Sequence, residues 1–389
     1  MPLDTAAATA FELPEATREL GETALAFARE VLAPKALEWD QARHFPVEEM
    51  RQAAALGMAA LYVREESGGA GLSRLDAAVV FEALSTGCPT VAAFLSIHNM
   101  VAWMVDRFGT EAQRARWLPE LVPMRLVASY CLTEPGAGSD AAALRTRARR
   151  EGDGYVLDGV KQFISGAGAA DLYLTMARTG EDGPGGVSAL LVPKDTPGLS
   201  FGKNERKMGW NAQPTRQVIL EGARVPADAL LGGAEGQGFR FAMAGLDGGR
   251  LNIAACALGG AQAALDAALA YVQERRAFGK AIADFQNTQF RLADMRTELE
   301  ASRALLWRAC AKLDAGAPDA TAFCAMAKRF VTDTAHRVAD EALQLFGGYG
   351  YLAEYGVEKI VRDLRVHRIL EGTNEVMRLI VARGMLGRR

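Results

Sequence analysis

The sequence predicts an α+β protein of three domains, helical over residues 1–124, β-rich over 125–235 and helical again over 236–389. Three observations lead there. The apolar residues change from a helical period to alternation near Leu126, and return to a helical period after Gly236. Clusters of turn-forming residues recur through the middle segment. At 389 residues, with 50% of them hydrophobic, the chain is also too long for one ordinary core.

From Pro14 to about Leu121 the pattern is helical: one helix reaches from Thr17 to Leu32, another from Val47 to Leu56, and two apolar helices meet at Cys88 and Pro89. A GGAG run at 68–71 makes a loop between them. In the middle segment DLYLTMA at 171–177 and VSALLV at 187–192 read as strands, divided by turns at 151–154, 158–159 and 180–186. Further on, Leu292, Met295, Leu299, Leu306, Cys310 and Leu313 mark one face of a helix from about Gln286 to Asp314. Helices that long suit a bundle. Another runs from about Pro318 to Phe346 and stops at Gly347 and Gly348; the stretch beyond them reads as loop, until a last helix from about Asn374 to Leu386.

Composition narrows the function. A formal net charge of −3 and a pI of about 6.0 give no summed positive field for nucleic acid or an anionic membrane surface. The stretch from Ala83 to Ile97 is too short to span a bilayer and reads as buried helix. The five cysteines are odd in number and lack the close pairs of zinc or disulfide frameworks, so no metal is expected and a reduced, cytoplasmic compartment is. Met1 to Leu20 lacks the apolar core of a signal peptide, which points the same way. His98 and His367 have no ligand-spaced partner and read as structural.

The run GAGSDA at 136–141 satisfies the dinucleotide-binding fingerprint, which would imply a nicotinamide cofactor. That fingerprint needs a strand, a tight turn and a helix, yet Ala141 is followed by a charged, strand-like run and a turn at 152–154. A glycine loop of purely structural use, and one bringing backbone and hydroxyl donors to a phosphate or flavin, remain equally open locally.

Four runs carry more: YCLTEPGAGSD at 130–140, ERRAFGK at 274–280, QLFGGYG at 344–350 and ILEGTNE at 369–375. Together they resemble the acyl-CoA dehydrogenase family, in that family's order, and the resemblance covers essentially the whole chain. It implies a helical N-terminal domain, a sandwich- or barrel-like middle β domain and a C-terminal four-helix bundle. It also implies FAD between the last two, and a homotetramer built as a dimer of dimers. FISGAG at 163–168, MGWNAQPTR at 208–216 and GLDGGR at 245–250 point within the family to short, branched, isobutyryl-like acyl-CoA substrates of the kind met in valine breakdown.

The resemblance makes Glu371 the base that removes the substrate α-proton; on local sequence alone it could equally be a helix-start carboxylate. Some relatives place their base on the first C-terminal helix, where this chain has Gly249. Tyr130, Leu132, Thr133 and Ser139 should contact the flavin from one side, and Phe163, Ile164 and Ser165 from the other, although Phe163 and Ile164 could be a plain strand core. Thr373 and Glu375 fall beside the base at cofactor positions. Arg275, Phe285, Gln286, Gln344, Gly347 and Gly348 are expected at the FAD of a neighbouring subunit; without the resemblance Arg275 would read as an exposed helix-end charge. Ser139, Asp247, Arg250 and Arg383 match positions near the thioester, pantetheine and nucleotide parts of CoA. The expected activity is α,β-dehydrogenation of the acyl-CoA, with an electron-transfer flavoprotein as oxidant. Its rivals are a same-fold oxidase using O₂ and a non-catalytic CoA- or flavin-binding protein.

Overall fold

The computed structural model describes residues 13–387, so most of the N-terminal stretch read as lacking a signal, residues 1–12, lies outside it. Helix α1 (Glu15–Phe27) continues through a π turn at Ala28–Leu32 and is followed by α2 (Ala36–Ala42) and α3 (Val47–Ala55). The two apolar helices are α4 (Arg74–Gly87) and α5 (Pro89–Phe108), and α6 (Glu111–Leu121) completes the domain. Proline drives its predecessor out of the helical region: Cys88 is extended at φ −158°, and Pro89 opens α5 where its missing N–H costs nothing.

The middle domain is one curled seven-stranded sheet of β1 (Ala128–Cys131), β2 (Arg147–Glu151), β3 (Gly154–Ser165), β4 (Leu172–Arg178), β5 (Val187–Pro193), β6 (Leu199–Phe201) and β7 (Thr215–Pro226). Its order is β1-β4-β2-β3-β7-β6, with β5 on the other edge of β4. β1 and β4 run parallel, and β3 pairs with β7 through two register shifts. The shift between Lys161 and Ile164 turns Phe163 away from the ladder at φ +59°.

The C-terminal domain packs α7 (Gly238–Glu274), α8 (Gln286–Asp314), α9 (Ala320–Leu345) and α11 (Asn374–Met385). A hairpin of Arg276–Ala277 and Lys280–Ala281 joins α7 to α8. α7 is long and apolar enough to cross a membrane, but its apolar face lies in the core, against α4, α5 and α9. At Gly259 a side chain would drive into the carbonyl of Glu82, so α4 and α7 touch backbone to backbone there.

The segment read as loop before α11 holds a further helix, α10 (Val357–Arg365). Val357, Ile360, Val361 and Leu364 recur at helical spacing, so the signal for this nine-residue helix is present in the sequence; Lys359 and Asp363, on its other side, are buried as well. Asp363 ties all three domains together: it accepts from Lys359 Nζ (2.6 Å), Thr90 Oγ1 (3.0 Å) and the Trp210 N–H (2.6 Å).

Candidate active site

Where the three domains meet lies a cavity of about 440 Å³. α5 contributes Ile97 and Met100, the bulged end of β3 contributes Phe163, Ile164 and Ser165, and α7 contributes Phe239, Met243, Leu246, Arg250 and Ile253. Trp210 forms part of the wall, held by its backbone bond to Asp363 and standing edge-on to His367 at 5.3 Å.

Glu371 enters this cavity from the turn before α11. It is a non-glycine residue at φ +56°, followed by Gly372 at φ +90°, a left-handed pair sustained only where the surroundings fix it. Arg250 Nε donates to the Glu371 carbonyl (3.3 Å) while its NH1 pairs with Asp247 (2.6 Å). From α9, Lys328 Nζ donates to the Gly372 carbonyl (2.7 Å) and to Asn374 Oδ1 (2.9 Å). Thr373 caps α11 by accepting from the Val376 N–H (3.4 Å).

The carboxylate itself is left without a partner: Glu371 Oε2 is buried and accepts no hydrogen bond. Burial raises its pKa to about 7, against the opposing pull of Arg250 and Lys328. Oε2 lies over Gly249, where a Cβ would stand 2.6 Å from it. A side chain at 249 and this carboxylate position exclude each other.

The glycine loop reaches the same cavity. Glu134 accepts from the N–H groups of Arg145 (2.6 Å) and Thr146 (2.9 Å) and from buried Lys161 (2.7 Å), which also donates to Leu132 O (3.1 Å). This clamp sets Leu132, Thr133 and Ser139 on the cavity wall beside Tyr130. Beyond Asp140 comes a single 3-10 turn, Ala141–Ala143, and then β2; the helix that a dinucleotide fingerprint requires is missing from the described residues.

The structure therefore brings together Tyr130, Leu132, Thr133, Ser139, Phe163, Ile164, Ser165, Arg250, Glu371 and Arg383 around one space. Asp247, Thr373 and Glu375 do not line it: Asp247 is turned to Arg250 and Thr321, and Glu375 is exposed in the first turn of α11. A second hollow of about 370 Å³ holds Arg275, Gln344, Gly347 and Gly348, with the Arg275 guanidinium 5.1 Å from the ring centre of Tyr349. Phe285 and Gln286, at the head of α8, line neither.

Both suspect histidines are buried. His98 bridges Leu121 O (2.8 Å) and the Ala128 N–H (3.1 Å), and His367 meets Ile253 O (3.2 Å); burial lowers each to about 4, leaving neutral rings. Lys328 had no signal in the sequence, whereas Trp210 sits inside the 208–216 run without any role assigned to it.

The donor set suits a flavin. Tyr130 and Trp210 line the cavity, and Tyr130 OH and Trp210 Nε1 are buried polar atoms without partners, as groups awaiting a ligand would be. Phe163 is 64% exposed at the cavity, free to pack on a flat ring, and a Cβ at Gly138 would meet only Thr133 Cγ2, at 4.0 Å, so backbone there is open to close approach.

Residues 14–125, 129–223 and 236–386 match the N-terminal, middle and C-terminal domains of acyl-CoA dehydrogenase, and the chain belongs to the acyl-CoA dehydrogenase family. It is an oxidoreductase that uses FAD to dehydrogenate an acyl-CoA thioester. It is 55% identical to the mitochondrial isobutyryl-CoA dehydrogenase of Dictyostelium discoideum, over 95% of this chain and 89% of that protein. The corresponding enzyme of Bos taurus is 52% identical, over 96% and 90%. Among solved structures, butyryl-CoA dehydrogenase from Megasphaera elsdenii superposes with a TM-score of 0.93 at 39% identity, covering 97% of this chain and 99% of that one.

Proposed function

We propose that the substrate is a short, branched acyl-CoA, isobutyryl-CoA or a near homologue, and that Glu371 is the base. The observation that carries this reading is the buried, unpartnered Oε2 of Glu371 over Gly249. An acyl α-proton is weakly acidic, so a carboxylate whose pKa stands near 7 is a better base than one at its ordinary value. Glu371 takes the proton from the α-carbon, and its backbone N–H is the donor assigned to the thioester oxygen, where negative charge develops. FAD, when bound, supplies the two-electron acceptor for the β-hydrogen as hydride, which no side chain can be.

Tyr130, Leu132, Thr133, Phe163, Ile164 and Ser165 are the residues assigned to the flavin, and Ser139, Arg250 and Arg383 those assigned to the CoA thioester and its arm. Asp247 acts on this reading through Arg250, and Thr373 and Glu375 through the start of α11. Ile97, Met100, Trp210, Leu246 and Ile253 bound the space for the acyl group. One methylene alters binding by only about 1–3 kcal/mol, so specificity among branched substrates is graded.

Arg275, Gln344, Gly347 and Gly348, in their separate hollow, are assigned with Phe285 and Gln286 to the FAD of a second subunit, which makes a dimer the smallest working unit and a homotetramer the assembly. Electrons leave to an electron-transfer flavoprotein. A cytoplasmic setting is part of this reading, in keeping with five buried, free cysteines.

Anaerobic mixing of the FAD-loaded protein with isobutyryl-CoA is expected to bleach the flavin band. Glu371→Gln should bind the thioester yet reduce at least about 100-fold more slowly, the scale of a lost general base. Rapid bleaching in that variant removes Glu371 from the role. Across butyryl-, isobutyryl-, 2-methylbutyryl- and isovaleryl-CoA, kcat/KM should be highest for isobutyryl-CoA, and peroxide release in air would favour an oxidase instead.

A further inference from the structure

We propose that Lys328 is a positioning residue for the base: its ammonium on α9 fixes the left-handed turn at Glu371 and Gly372, and so aims the Glu371 carboxylate at the substrate. The proposal rests on Glu371 being the base. Lys328 is fully buried, a rare place for a lysine, and both hydrogen bonds of its ammonium go to the segment that follows the base. Its Nζ binds Gly372 O and Asn374 Oδ1, one bond on the backbone beside Glu371 and the other on the first residue of α11. Asn374 is locked in turn from α9, donating to Arg329 O (3.3 Å), Thr332 Oγ1 (3.0 Å) and Asp333 Oδ1 (2.9 Å).

Two cations from different helices thus hold adjacent carbonyls. Arg250 on α7 takes the carbonyl of Glu371, and Lys328 on α9 takes that of Gly372. Neither donates to the carboxylate, which stays free to accept a proton. Each also acts on Glu371 through space, favouring its charged form against burial. The other groups in this electrostatic setting are Tyr130 from β1, Tyr62 from the loop before α4, Asp333 on α9, His367 from the turn after α10 and Glu375 on α11. Burial brings Lys328 itself down to about 7, opposed first by Glu371. A neutral amine would still donate to Gly372 O, so the turn is held on both sides of that pH.

Lys328→Met keeps the length of the side chain and removes donor and charge; Lys328→Arg keeps both. FAD content, binding of the enoyl-CoA product read from the flavin spectrum, and the rate of anaerobic flavin reduction across pH separate a positioning role from a structural one. In Lys328→Met reduction should slow by about 100-fold, the cost of a base displaced by about an ångström. FAD content and product affinity should stay within about twofold of wild type by the same argument. The midpoint of the rate–pH curve should move to higher pH, because a cation that favoured the carboxylate is gone. Lys328→Arg should recover much of the rate. A Lys328→Met enzyme with wild-type rate and midpoint overturns the proposal, and so does one whose rate falls only in step with lost FAD. Glu371→Gln, run alongside, keeps the two readings apart: if it reduces flavin rapidly, the base assignment fails; if it is inert while Lys328→Met is unimpaired, only the positioning role fails.

Discussion

Two buried carboxylates eight residues apart, Asp363 and Glu371, are treated in opposite ways by their surroundings. Asp363 on α10 is saturated by a lysine, a threonine and a backbone N–H, one from each domain. Burial pulls its partner Lys359 down, yet the adjacent Asp363 outweighs that and holds the lysine above its ordinary range. Glu371 also has cations nearby, but Arg250 and Lys328 direct their hydrogen bonds to the neighbouring carbonyls, Asp247 and Asn374, and leave Oε2 bare. A carboxylate whose oxygens are taken up in this way serves as a joint. One denied its pair is a group that can change its protonation state, which is what proton abstraction requires.

The comparison is broken most forcefully at the joint. Asp363→Ala leaves Lys359 charged in a dry interior and should cost about 3–5 kcal/mol of stability. Denaturant unfolding of the FAD-loaded protein checks it, and an unchanged midpoint would mean the pair is not a joint. A smaller effect, confined to activity, is expected at Gly249→Ala, whose Cβ would stand 2.6 Å from Glu371 Oε2. Flavin reduction should fall about 100-fold with FAD retained, the loss expected for a misplaced base. Stopped-flow rates at saturating substrate decide that.

The finest test concerns the pH dependence of stability. Glu371 has a folded pKa of about 7 against 4.5 for the free side chain, so the folded state holds a proton that the unfolded chain has lost. Its burial therefore costs nothing below the lower value, and stability falls as pH rises between the two. Glu371→Gln should remove this slope and melt higher than wild type at pH 8, with little difference at pH 4. Melting curves of the two proteins at both values check it, and equal pH slopes would show that burial leaves the carboxyl unperturbed. Asp363, fixed by its partners, should show no such gain on neutralisation.

Much of this site was legible in the sequence because its parts are local. The glycine loop, the Phe163 to Ser165 strand end and the turn at Glu371 each carry their own residues into the cavity. What escaped were features created by crossings. Lys328 lies in AMAKRF at 325–330, where a lysine beside an arginine reads as a solvated face; only the meeting of α7, α9 and α11 buries it. α10 is a different case, since Val357, Ile360, Val361 and Leu364 do carry a helical period; what depends on crossings is the burial of Lys359 and Asp363 on its other side. The positive φ of Phe163 arises from a register shift against β7, set by a strand more than fifty residues further along the chain. Thr373, Glu375 and Asp247 stand beside cavity residues in sequence, but their side chains serve the helix start and Arg250 rather than the cavity wall.

The bare helix surface at Gly249 also limits how the reaction centre can change over time. Positions 249 and 371 face the same space, where a Cβ on 249 would stand 2.6 Å from Glu371 Oε2. A glutamate added on α7 would collide with the existing one rather than assist it, so migration of the base between the two backbones has to be an exchange. The ancestor of any such change would have to shrink residue 371 before, or together with, enlarging residue 249.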